Sequence, residues 1–219
     1  MKTRAILGAA GGVALGLLLF GFVGTASAAN HGGVSSGEAN FSAPDQLTWH
    51  DILPGVIPAP RGWTVTVNTY GNYLDIHSDG REIATNGVEL FRYPLESFTD
   101  IDPSRGNYTL RQFARNYYRI FREDRAAGYG DAYIFTADPI VQVQFGGLKG
   151  IRFGFTGRLN GEVFDRYVNY VAFDSEYVYL IATTHDKGSE GIFGFDRLAD
   201  LRTFEPYLLR LVGSLTLGR

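Results

Sequence analysis

The chain has no cysteine among its 219 residues. That excludes a disulfide scaffold, thiolate zinc sites, a cysteine nucleophile and lipidation of an amino-terminal cysteine. A dominant charge of either sign is lacking too. Lys and Arg number 20 against 23 Asp and Glu, a net of −3. The pI near 5.8 argues against a general nucleic-acid binder, which would carry a net basic field. There is no Gly-x-Ser-x-Gly elbow and no convincing triad order. Residues 146–150, Gly-Gly-Leu-Lys-Gly, lack the Gly-Lys-Ser/Thr end of a phosphate loop and precede a strand pattern, so they read as a turn. No catalytic constellation and no cofactor motif is visible, and the expectation is a non-enzymatic protein.

What is present is a hydrophobic leader and an aromatic-rich domain. Hydrophobic residues make up 45% of the chain and charged residues 20%, which suits neither a disordered chain nor a polytopic membrane protein. Lys2 and Arg4 precede an uncharged stretch from residue 5 to 30, whose centre at 13–23 is strongly apolar. Ala26-Ser27-Ala28 closes it. This three-part pattern predicts a secretory signal over residues 1–28, cleaved after Ala28. An uncleaved membrane anchor is the competing reading, because roughly 20 apolar residues suffice to span a bilayer. Either way the protein is expected to be exported, to the periplasm or the extracellular side, with membrane contact only through an uncleaved leader. Residues 29–46 are small and polar and read as a flexible linker. Residues 47–219 form the single domain.

Residues 63–69 alternate Trp63, Val65 and Val67 with polar residues, the period of a strand. Residues 73–77 and 88–93 predict two more strands, with Asp79-Gly80 as a turn. Leu110, Phe113, Ala114, Tyr117, Ile120 and Phe121 fall at helical spacing, capped near Asn107 or Thr109 and stopped near Gly128. Strands follow at 140–145, 151–158, 163–173 and 176–184. Asn160-Gly161 is the strongest hairpin signal among them. The last strand is apolar on both faces, so both faces of the sheet should be covered. A closing helix is expected with Thr203 as cap, Pro206 in its first turn and Gly213 at its end; residues 197–201 suggest a separate short helix. The predicted class is α+β: one antiparallel sheet between helices.

The Pro-x-Gly-Trp at 60–63, this element order and the close Tyr207-Leu-Leu-Arg-Leu-Val-Gly-Ser-Leu215 resemble the PsbP-like superfamily, which includes the DcrB-like envelope proteins and the Mog proteins. The resemblance covers most of residues 50–217. It implies a PsbP-like α/β/α sandwich and an accessory or binding role, with no catalytic residues to carry over.

Two residue sets stand out. Arg111, Arg115, Arg119, Arg122 and Arg125 fall within an arc of about 120° on the predicted long helix. They suggest a basic patch for a protein partner, against the plainer reading of a solvated helix face. Gln142, Gln144, Arg152 and Asn169, with Thr156, lie on the predicted meander and suggest polar groups facing a small molecule or lipid in an aromatic-lined pocket. The plainer reading there is the wetter face of a sheet. Asp75 and His77 share a strand face, and only His185 folding beside them would make a metal site.

Overall fold

The computed structural model describes residues 47–54, 59–98, 101–189 and 194–217. The leader and the linker lie outside the described residues. The fold is an antiparallel sheet with helices on both faces. Its strands are β1 (Trp63–Val67), β2 (Tyr73–Ser78), β3 (Arg81–Pro94), β4 (Tyr133–Ala137), β5 (Val141–Phe145), β6 (Leu148–Leu159), β7 (Glu162–Phe173), β8 (Tyr177–Asp186) and β9 (Gly194–Phe195). They run in the order β1-β2-β3-β8-β7-β6-β4, with β5 also on β6 and β9 on β3. The helices are α1 (Trp49–Ile52), α2 (Asn107–Tyr129) and α3 (Leu198–Ser214).

The meander β5-β6-β7-β8 follows from its turns. Asn160 and Gly161 both take positive φ, 54° and 87°, as a two-residue turn of type I′ demands. Asp174 closes the next hairpin by accepting the N–H groups of Glu176 and Tyr177 on one carboxylate oxygen. Gly146 and Gly147, both at positive φ, make the β5–β6 turn rather than an anion loop.

Alternation then sorts the core into two. On one face Val168, Tyr170, Ala172, Tyr179 and Ile181 meet Leu201, Phe204, Tyr207, Leu208 and Leu211 of α3. On the other, Ile151, Phe153, Phe155, Val171, Val178 and Leu180 meet Leu110, Phe113, Tyr117 and Phe121 of α2. The doubly apolar β8 is therefore covered on both sides, as its sequence predicts.

Three elements differ from the sequence reading. β3 is 14 residues long and irregular in register against β2, because Asp75 accepts the Asn86 N–H and Asn86 takes φ 46°. β4 pairs with the second half of β6, an edge strand without a strong apolar alternation. The closing helix starts at Leu198, not near Thr203. Thr203 lies inside it and donates to the Ala199 carbonyl, and Pro206 is an exposed interior residue. Proline removes one N–H there, which is tolerable where the freed carbonyl faces solvent.

Glu89 of β3 is mostly buried. Burial raises its carboxyl from the usual 4.5 to about 7, although the Tyr73 hydroxyl donates to it at 2.6 Å and pulls the other way. The folded value lies above the unfolded one, so between these two pH values the folded chain holds a proton that the unfolded chain has released. Stability therefore falls as pH rises through that window and levels off above it. Glu89→Gln should leave stability near pH 4 unchanged and raise it near pH 8 by about 1–3 kcal/mol. Denaturant titrations of both proteins across this range check the difference.

Candidate functional site

The strand pair β6–β7 carries charged residues into both apolar faces of the sheet. Asp165 and Arg166 are neighbours in β7, so they project to opposite faces. Each seeds an ion cluster there.

On the α3 face, Arg166 is nine-tenths buried and almost fully used as a donor. Its Nε and Nη2 reach the two carboxylate oxygens of Glu205 at 3.1 and 3.2 Å, and its Nη1 reaches Asp138 at 2.7 Å. The same Nη1 lies 3.3 Å from the Thr156 hydroxyl. Arg152 of β6, on the same face, donates to Glu205 at 2.6 Å. Glu205 comes from α3, so one helical carboxylate bridges two sheet arginines. A fork-to-fork pair of this kind fixes orientation as well as charge. Beside the cluster opens a cavity of about 400 Å³ lined by Asp138, Thr156, Arg166, Arg202, Glu205 and Pro206.

On the α2 face, Arg125 reaches down from the last turns of the helix. Its Nε lies 2.9 Å from Asp165 and its Nη2 2.9 Å from Asp186. Asp165 is fully buried and Asp186 nearly so. Tyr133 donates to Asp165 and Tyr167 to Asp186, both at 2.7 Å. Burial raises the Asp165 carboxyl above its usual value, against the opposing pull of Arg125. Gly157 makes room for this cluster, since a Cβ there would stand 1.8 Å from the Tyr133 hydroxyl and 2.0 Å from an Asp165 oxygen.

The five arginines of α2 do not form one exposed patch. Arg115, Arg119 and Arg122 are exposed. Arg119 pairs with Glu123 at 3.0 Å, and Arg122 stands over the Phe135 ring at 5.2 Å. Arg111 is half-buried and donates to the Ile140 carbonyl, and Arg125 is the partly buried cation just described. The expected patch therefore narrows to three residues. The reason is angular: on the helical wheel Arg125 lies only about 40° from Phe121, at the edge of the packed stripe.

The expected ligand-facing set is also not gathered. Gln142 and Gln144 are exposed on the edge strand β5, Arg152 faces α3, and Asn169 is fully buried beneath α2. Arg152 does not line the cavity, because Glu205 covers it. The aromatic side chains meant to line a pocket instead pack ring on ring, as in Phe113–Phe153, Tyr117–Phe121 and Phe155–Tyr167.

His185 lies on β8 with Nδ1 2.9 Å from the Phe195 carbonyl, while His77 lies on β2 opposite Glu82. Among the described residues no three His, Asp or Glu side chains gather as metal ligands. Nor is any helix among them long and apolar enough to cross a membrane.

Sequence reasoning does not single out the ion-cluster residues Asp138, Asp165, Arg166 and Glu205, and notes Asp186 only as the chain neighbour of His185. The one signal for them is the Asp-Arg pair interrupting the apolar run of β7.

No family model and no curated protein matches the chain. Among solved structures it is similar to the solution structure of cyanobacterial PsbP (CyanoP) from Synechocystis sp. PCC 6803. The TM-score is 0.42 at 7% identity, covering 73% of this chain and 84% of that one. An overlap of that extent assigns neither family nor activity.

Proposed function

We propose that the protein is an exported, non-enzymatic accessory protein of the PsbP-like kind, DcrB-like or Mog-like, that docks a protein partner in the cell envelope. The observation that carries the reading is the row Arg115, Arg119 and Arg122, exposed on a helix whose opposite face is locked into the sheet. Its acidic neighbours on the helix are Glu123 and Asp124. In a chain of net −3, a cationic row on a rigid support fits an acidic partner surface. Export is supported by the leader pattern of Lys2, Arg4, the apolar centre and Ala26-Ser27-Ala28. The accessory role is supported by the order of elements and the Pro-x-Gly-Trp and carboxyl-terminal patterns. The partly buried Arg125 and the buried Arg166 are each engaged by two carboxylates of the chain, which suits a structural role for them.

Reversing all three charges, Arg115→Glu with Arg119→Glu and Arg122→Glu, should cost about 1–2 kcal/mol and leave the protein folded, because it removes only the Arg119–Glu123 pair and the Arg122–Phe135 contact and sets like charges four residues apart. Retention of the partner on the immobilised full chain should fall by about tenfold or more. Wild-type retention should itself weaken as salt shortens the reach of the field. Unchanged retention by the variant overturns the docking face.

A further inference from the structure

The open cleft on the α3 face has unused recognition groups. Its walls come from four separate elements: Asp138 from the segment joining β4 to β5, Thr156 from β6, Arg166 from β7, and Arg202, Glu205 and Pro206 from α3. Its volume of about 400 Å³ falls within the range of small-molecule sites. Much of the lining is fixed in advance, because Arg166 clamps Asp138, Thr156 and Glu205 at once. A ligand would not have to order these side chains on binding.

Three groups in it remain available. Arg202 is exposed, one turn before Glu205, and its guanidinium makes no ion pair or hydrogen bond among the described residues. Asp138 uses one carboxylate oxygen on Arg166, and its Oδ1 accepts nothing from the described residues. Thr156 accepts from Arg166, which leaves its own O–H to donate. The cleft thus offers a free guanidinium, a free carboxylate oxygen and a hydroxyl donor.

We propose that this cleft binds a small zwitterion, an amino acid or very short peptide, whose carboxylate meets Arg202 and Thr156 and whose ammonium meets Asp138 Oδ1. Charge complementarity carries the choice. Arg152 and Arg166 spend their charge on Glu205 and Asp138, which leaves Arg202 and Asp138 Oδ1 as the free groups; they are opposite in sign, so a ligand of one charge would leave one of them unmet. A zwitterion satisfies both free groups. This inference is independent of the docking face on α2, which lies on the other side of the sheet.

The test is a titration of the isotope-labelled full chain, followed by amide and side-chain NMR shifts. Glycine, L-alanyl-L-alanine and 6-aminohexanoate carry the two charges at increasing separation; acetate and ethylamine carry one each. At least one zwitterion should shift the resonances of Asp138, Thr156, Arg166 and Arg202 with saturation below about 10 mM. Both single-charge probes should bind at least about tenfold more weakly. Arg202→Met, at an exposed position, should weaken the zwitterion about tenfold without unfolding the protein. Thr156→Val should weaken it less and serves as a second variant. Equal binding of acetate overturns the zwitterion assignment. Absence of saturable shifts, shifts confined to another surface, or an Arg202→Met variant that binds as wild type overturns the site.

Discussion

Gly154→Ala should destabilise the protein by at least about 3 kcal/mol and leave little folded chain at physiological temperature. Gly154 sits in β6 opposite Val168 of β7, between the stretches of β6 that pair with β5 and with β4. A Cβ there would stand 2.2 Å from the Tyr167 carbonyl oxygen and 3.2 Å from the Asp138 carboxylate. The first obstacle is backbone in a central strand and cannot swing aside as a side-chain end could. The Gly154 N–H also donates to the Tyr118 hydroxyl, which in turn donates to the Asp138 carbonyl. A shift of β6 would therefore loosen α2 and the Asp138–Arg166 pair together. Thermal unfolding of the variant beside Gly128→Ala checks the claim. Gly128 is exposed and has open space around its Cβ position, so that control should retain wild-type stability or gain slightly. A Gly154→Ala melting curve matching wild type would show that β6 does not approach β7 as described.

The second large effect is expected at Arg125. Arg125→Ala should cost about 3–5 kcal/mol, because it leaves Asp165 and Asp186 buried without their shared cation. The companion Arg115→Ala should cost less than about 1 kcal/mol, since Arg115 is exposed. Two arginines ten residues apart on one helix thus have opposite expected outcomes. Denaturant titration of the pair is the check. Equal, small losses would mean that the Arg125 cluster contributes no net stability.

Much of this architecture can be read from the residues. Asn160-Gly161 fixes a hairpin because positive φ at two adjacent positions leaves few alternatives. The stripe from Leu110 to Phe121 fixes α2, and the doubly apolar β8 implies cover on both faces. Other elements are set by contacts that no local pattern reveals. Tyr133–Ala137 forms β4 although most of its residues are half-buried or exposed, so the edge strand carries little alternation. Pro206 looks like a helix start because that is where proline is most often tolerated, yet here tertiary packing of Leu201 and Phe204 draws the helix back to Leu198. The ion clusters are the least legible part. Arg125 and Asp186 are 61 residues apart, and Arg152 and Glu205 are 53 apart. No local periodicity encodes such pairings. The helical wheel does place Arg125 at the border of the packed stripe, and that angle alone separates it from Arg115 and Arg119.

The division of labour on α2, with Arg125 holding the fold and the outer row meeting a partner, is tested most directly by site-specific photo-crosslinking in cells making the full chain. A photoreactive residue replaces Arg115 in one variant and Thr64, on the edge strand β1, in another. One discrete crosslinked protein is expected from position 115, lost when Arg119→Glu and Arg122→Glu are added, and no such product from position 64. The same product from both positions, or a product from 115 that survives the added charge reversals, would contradict that division.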